Sequence, residues 1–151
     1  MSARDRTEKE LRSRLTQAGF NDDIVAETVA WCRRLGYVDD ARFARSWVEY
    51  RLLHSPSGRR RLELELREKG VSDDIIDATL SEMLPYELEQ RLCIEAAQKR
   101  SRRYTEQPKE VRERRLAAFL ARRGFSYEHI RTALAQVDSY SDTDYNTRGC
   151  K

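Results

Sequence analysis

Apolar residues recur three and four positions apart along most of the chain, and no stretch alternates strictly between apolar and polar. That periodicity predicts an all-α protein. Three segments also align with one another: LRSRLTQAGFNDDIVAETV from Leu11, LELELREKGVSDDIIDATL from Leu62, and LAAFLARRGFSYEHIRTAL from Leu116. Each reads Leu-x-x-x-Leu-x-x-x-Gly, then an apolar residue, a short polar turn and a second apolar helix. The glycines, Gly19, Gly70 and Gly124, lie 51 and 54 residues apart, which identifies an internal repeat.

Each repeated position has a physical task. Leucines four apart form one stripe on a helix, and the glycine suits the left-handed position that ends it. Phe20, Val71 or Phe125 is expected to pack back against that helix. Asn21, Ser72 and Ser126 are placed to cap the second helix, with Asp22-Asp23, Asp73-Asp74 or Glu128 near the positive end of its dipole. The second helices are expected to bury Ile24, Val25, Val29 and Trp31, then Ile75, Ile76 and Leu80, then Ile130 and Leu134.

The stretch LGYVDDARFARSWVEYR, Leu35 to Arg51, predicts a third helix capped by Asp39 or Asp40. Phe43, Trp47 and Tyr50 fall at i, i+4 and i+7, the spacing of a core stripe; exposed, the same aromatics would suit base stacking. Thr7-Glu-Lys-Glu10 is a capping box, and Pro56-Ser57-Gly58 and Pro108 punctuate the helices. The expected organisation is therefore tandem three-helix units at 1–55 and 56–107, a third at 108–137 with only two clear helices, and a disordered polar tail at 138–151.

Charge refines this picture. Lys and Arg number 29 against 26 Asp and Glu, for a net charge of +3. The basic residues are clustered, as in Arg59-Arg60-Arg61, Arg100-Ser-Arg102-Arg103 and Arg112-Glu-Arg114-Arg115. Clusters of this kind either focus positive potential on a polyanion or merely solvate a helix through i,i+4 pairs with glutamate. Cys32, Cys93 and Cys150 have neither disulfide nor metal-ligand spacing. Cys32 and Cys93 are expected as small core residues. The sequence contains no apolar run of membrane-spanning length and no signal-peptide pattern, so a cytoplasmic protein is expected. His54 and His129 show no triad or ligand pattern and no P-loop is present; the expectation is a non-enzyme without cofactor or metal.

The order of these motifs resembles the RecX family, bacterial regulators of the RecA recombinase, over roughly residues 7–137. The most specific part is Gly36-Tyr37-x-Asp39-Asp40-x-x-Phe43-Ala44, followed by Gly58 and by Lys69-Gly70. The resemblance implies an elongated, curved array of three-helix units lying in the groove of the RecA–DNA filament and restraining recombinase activity. It thus implies RecA as the partner, with DNA met inside the filament, and a monomer is expected. Candidate contact residues, chosen as basic positions off the leucine stripes, are Arg59, Arg60, Arg67, Arg100, Arg102, Arg103, Arg114, Arg115 and Arg122. The alternative is a helical protein that binds single- or double-stranded nucleic acid directly, which would show a steep salt dependence.

Overall fold

The structure, a computed structural model, describes residues 5–147. These form eight α-helices and no strand: α1 (Glu8–Gln17), α2 (Asp22–Arg34), α3 (Asp40–His54), α4 (Arg59–Glu68), α5 (Asp73–Met83), α6 (Tyr86–Ser101), α7 (Lys109–Arg122) and α8 (Tyr127–Thr147), with a 3-10 turn at Arg102–Tyr104 after α6. The described residues are thus all-helical, as the periodicity requires. They divide into two compact units, one of residues 5–53 and 63–83 and one of residues 54–62 and 84–147, with the boundary inside α4.

In the first unit the caps follow from local sequence. Thr7 closes the expected capping box with Glu10, and Asn21 Oδ1 accepts the Ile24 N–H at 2.9 Å. Asp39 Oδ1 accepts from Arg42 N at 3.0 Å and so caps α3, while Asp40 does something else: its Oδ1 accepts the N–H of Glu8, at the start of α1, at 2.9 Å. One acid of the pair caps its own helix and the other an earlier one. The buried apolar residues are Val25 and Val29 of α2, Val38 before α3, Phe43, Ala44 and Val48 of α3, Leu66, Val71, Ile76 and Leu80.

Several expected core residues of this unit lie outside it. Tyr50, Trp31 and Ile24 are exposed and Trp47 is only half-buried. On α3 the buried face runs through Phe43, Ala44 and Val48, so Tyr50 is turned away from it and Trp47 sits at its edge, stacked on Phe43 at 6.1 Å. On α2 the inward face carries Val25 and Val29, and Ile24 and Trp31 flank it; Trp31 instead meets Tyr37 at 6.2 Å. Cys32 is intermediate, and Phe20 is 48% exposed although its counterparts Val71 and Phe125 are buried.

The second unit has a continuous core of Cys93 and Ala97 from α6, Leu116 and Leu120 from α7, Phe125, and Ile130, Ala133 and Val137 from α8. Leu134 packs against it partly buried. Burial pushes the Cys93 thiol up to about 12, helped by the Glu89 charge, so at neutral pH it is a protonated apolar filler. The helix α8 runs on through Thr147 where a disordered tail is expected from 138. No proline or glycine interrupts it, and Asp138 still pairs with Lys109 at 3.5 Å and Arg112 at 3.6 Å. Residues 148–151, with Cys150, lie outside the described residues.

The repeat shows as one recurring joint. In the second unit the start of α4 sits on the α7–α8 turn: Gly58 N donates to Arg123 O at 2.7 Å and Arg60 N to Gly124 O at 3.2 Å. In the first unit the start of α1 meets the α4–α5 turn in the same way, Thr7 Oγ1 donating to Lys69 O at 2.6 Å and Lys9 Nζ to Glu68 O at 3.4 Å. A Cβ on Gly58 would overlap the Gly124 carbonyl and lie 2.5 Å from Phe125 N, whereas one on Gly19 would meet nothing within 4 Å. Gly19 is constrained only by its φ of +93°.

Urea unfolding should therefore separate the two glycines. Gly58→Ala is expected to lose about 3 kcal/mol through backbone overlap, and Gly19→Ala only the ~1–2 kcal/mol of a left-handed alanine; equal losses would remove the joint as a special constraint. Asp40 gives a pH-dependent test, because burial raises its carboxyl above the ordinary 3.8. Its ionised form is disfavoured in the folded state, so the wild type carries a penalty above that raised value which disappears as pH falls through it. Asp40→Asn keeps the acceptor for Glu8 N and should match or exceed the wild-type melting temperature at pH 7, with the advantage shrinking toward pH 4; Asp40→Ala should lose about 1 kcal/mol as a missing cap. A less stable Asp40→Asn at pH 7 would show that the charge itself is needed.

Candidate partner-binding surface

The nine candidate arginines do not form one row. Arg67, in the first unit, pairs with Asp73 at 2.8 Å. Arg59 and Arg60, in the second, open α4; the backbone N–H of Arg59 donates to Glu89 Oε1 at 2.9 Å, and only the Arg60 side chain is exposed. Arg60 and Arg67 lie seven residues apart on α4, but the Arg59 backbone serves the helix start and Arg67 an ion pair. Arg102, Arg103, Arg114, Arg115 and Arg122 are exposed, and Arg100 is half-buried.

Around Arg100 the second unit builds a ladder of alternating guanidinium and aromatic groups. Arg100 ends α6, where positive charge also suits the helix dipole. Its Nε donates to the Tyr104 hydroxyl at 3.2 Å, and its Cζ lies 4.7 Å from the Phe119 ring centroid and 5.9 Å from that of Tyr104. Arg115 reaches the Tyr104 ring at 5.7 Å and Arg123 the Phe119 ring at 5.2 Å. Arg123 Nη1 in turn donates to Ser55 Oγ at 2.6 Å. Each cation–π contact contributes roughly 0.5–1 kcal/mol at a partly exposed site, which offsets part of the repulsion of holding like charges together.

This ladder forms one wall of a pocket of about 280 Å³. Lys99, Arg100, Arg103 and Arg123 line it, with Glu95 the single lining acid; Leu92, Ala96 and Phe119 supply apolar surface. Of the sequence candidates, then, Arg100 and Arg103 are brought together in it and Arg115 stands behind them. Lys99, Tyr104, Phe119 and Arg123 were missed. Part of their signal is present in the sequence: Arg100/Tyr104 and Phe119/Arg123 are each four apart on a helical stretch, the spacing at which side chains meet, whereas the Arg100–Phe119 and Arg115–Tyr104 contacts join residues far apart in the chain.

The family-motif residues take structural positions. Gly36 ends α2 with a φ of +75°, Phe43 and Ala44 are core, Gly58 and Lys69 take part in the joints described above, and a Cβ on Gly70 would overlap Lys9 Cβ of α1. Tyr37 is 67% exposed. Trp47 is unsuited to stacking bases, because Phe43 covers one side, Lys69 Nζ sits 5.4 Å over the ring and the indole N–H donates to Glu65 Oε2 at 3.0 Å.

His129, for which the sequence offered no partner, proves to be held on both sides. It is buried between Glu89, with Oε2 3.3 Å from Nε2, and Gln90, with Oε1 2.9 Å from Nδ1. Gln90 Nε2 donates to the His129 carbonyl at 3.2 Å, so the ring nitrogens both face acceptors. Ser126 Oγ accepts the His129 N–H as a helix cap, at 3.4 Å, so the hydroxyl is occupied in capping and the cluster ties α6 to α8. His54 is exposed at the end of α3. Among the described residues no group of histidine, cysteine and acidic side chains could hold a metal ion, and no helix is long and apolar enough to cross a membrane.

Comparison with known proteins gives these features a family. Residues 1–32, 39–80 and 87–134 match the first, second and third three-helix domains of RecX. The second match takes α3 with α4 and α5, and the third takes α6 with α7 and α8. These matches cut the same periodic chain in a different phase from the boundaries at 55 and 107. The chain is 36% identical over 129 residues to a protein of Mycolicibacterium smegmatis named "Regulatory protein RecX", covering 83% of this chain and 69% of that one. It is 33% identical over 137 residues to a protein of the same name from Chlorobium phaeobacteroides, covering 91% and 87%. The crystal structure of RecX from Lactobacillus salivarius superposes with a TM-score of 0.82 at 26% identity, over 91% of this chain and 88% of that one. By its three domains, its relatives and its fold, this chain belongs to the RecX family of regulatory proteins.

Proposed function

We propose that this protein binds the RecA–DNA filament and restrains its ATPase and recombination activities, acting as a monomeric cytoplasmic regulator without catalysis of its own. Family membership carries the reading, since the relatives are named as regulatory proteins. The exposed basic face of the second unit supports it, because a filament of acidic protein groups and DNA phosphates is a polyanion that such a face would attract. Arg114, Arg115 and Arg122 are among its members outside the pocket, and all three lie off the buried Leu116/Leu120 stripe.

A second reading, direct binding of nucleic acid, is favoured by one observation, the convergence of four cations on a pocket with one acid. The two readings differ in what the partner must be. A filament-directed regulator should inhibit the DNA-dependent ATPase of RecA far below one molecule per recombinase subunit, while binding bare DNA weakly. A direct binder should inhibit only once the DNA is coated, and should lose affinity steeply with salt.

In the same assay, replacing Arg114, Arg115 and Arg122 together by alanine should raise the inhibitory concentration about tenfold or more, equivalent to ~1.4 kcal/mol or above, with an unchanged circular dichroism spectrum. Full inhibition by a normally folded triple variant would remove this face from the interface.

A further inference from the structure

The pocket walled by Lys99, Arg100, Arg103 and Arg123 has features that solvation of helix ends does not account for. Cations at the last turns of α6 and α7 would satisfy the helix dipoles in any direction; here those of both helices converge on one concavity of about 280 Å³. Two of them are also held in fixed orientation. Arg100 is tied through Nε to Tyr104 and lies against Phe119, and Arg123 is tied through Nη1 to Ser55 and lies against the same ring. Planar guanidiniums held in this way lose little freedom on binding and match the oxygens of an oxyanion two at a time.

The balance of charge selects among oxyanions. Four cations against Glu95 leave an excess of three over the lining acid, which suits a phosphate better than a single carboxylate. The volume is near the lower end of small-ligand sites, roughly 300–1,000 Å³, and the apolar surface of Leu92, Ala96 and Phe119 leaves room for the body that carries the phosphate. We infer that this pocket is a nucleotide-phosphate site, taking the phosphate and sugar of one nucleotide unit from either a free nucleoside polyphosphate or a single strand. The shared chemistry is phosphate on sugar, and the site resides wholly within the second unit. The inference rests on the second reading above, direct binding of nucleic acid, at the same pocket, and is independent of the recombinase reading because the binding is measured on the isolated full-length chain.

The test uses three fluorescent or calorimetric probes at fixed salt: ADP, a ten-residue oligothymidylate, and a glutamate decapeptide. The variant Lys99→Glu/Arg103→Glu changes two exposed rim residues, and the control Arg91→Glu/Arg131→Glu makes the same change of charge at exposed positions outside the pocket. The expected result is binding of ADP or of the oligonucleotide that falls about tenfold or more in the rim variant and less than about threefold in the control. Binding of ADP without the oligonucleotide assigns the site to a free nucleotide, and the reverse assigns it to a strand. Equal losses in both variants would reduce the effect to general electrostatics and overturn the proposal. So would the absence of binding by either phosphate probe, or tighter binding of the glutamate peptide. Arg100→Lys provides a further check, since it keeps the charge but loses the fork, and unchanged phosphate affinity in that variant would count against the proposed geometry.

Discussion

The second unit depends on a contact between two stretches of bare backbone. A Cβ on Gly58 would meet the Gly124 backbone and one on Gly124 would meet Arg61, so neither is tolerated, and the Gly58 N–H and Gly124 carbonyl are both used in crossing bonds. Gly124 performs two tasks at once: with φ at +89° it ends α7, and without a side chain it admits Arg61 of α4. The crossing also fixes the neighbouring residue. Arg123 gives its carbonyl to Gly58 and its guanidinium to Ser55 and Phe119, so the joint that positions α4 also sets one wall of the basic pocket.

The same joint explains why one repeat position behaves differently from its two counterparts. Phe20, Val71 and Phe125 follow their glycines identically, and all three turns share the backbone bonds of a Schellman ending, from the apolar residue to the carbonyl five positions back. Val71 and Phe125 are buried at turns on which another segment sits; nothing approaches the Cβ position of Gly19, and Phe20 is half-exposed. Local chemistry therefore specifies the turn, and tertiary neighbours decide whether its apolar residue becomes core. No periodicity confined to one segment carries that information.

Helices, glycine turns, the Thr7 capping box and the Asn21 and Ser126 caps were all legible because each is determined within about five residues. Faces were less so. In α2 and α3 apolar residues occupy more than one side, and the largest of them, Trp31, Trp47 and Tyr50, suggested a stripe that the smaller Val25, Val29, Ala44 and Val48 occupy instead. Side-chain size was the misleading cue: the buried face of α3 holds Phe43 together with the small Ala44 and Val48, and that of α2 holds Val25 and Val29, so the larger side chains do not by themselves mark the inward face. The extension of α8 to Thr147 was missed for a related reason. Polar composition reads as disorder, but an uninterrupted helix carrying Asp138 opposite Lys109 and Arg112 is anchored from its apolar half.

For the basic residues, sequence showed where charge is dense but not how it is used. The first unit neutralises much of its own: Glu8 meets Arg12 and Arg33, which lowers its carboxyl; Arg45 meets Glu82, Arg51 meets Glu65, and Lys69 meets Glu10. In the second unit Arg100 and Arg115 lie against the ring of Tyr104, and Arg100 and Arg123 against that of Phe119. An aromatic face holds a guanidinium in place without cancelling its charge, whereas a carboxylate does both. The near-neutral total of the chain therefore coexists with a pocket of concentrated positive potential. What distinguishes that pocket from an ordinary charged helix surface is that each ring orients one arginine a turn away, Tyr104 with Arg100 and Phe119 with Arg123, and a second from another helix, Arg115 and Arg100 respectively.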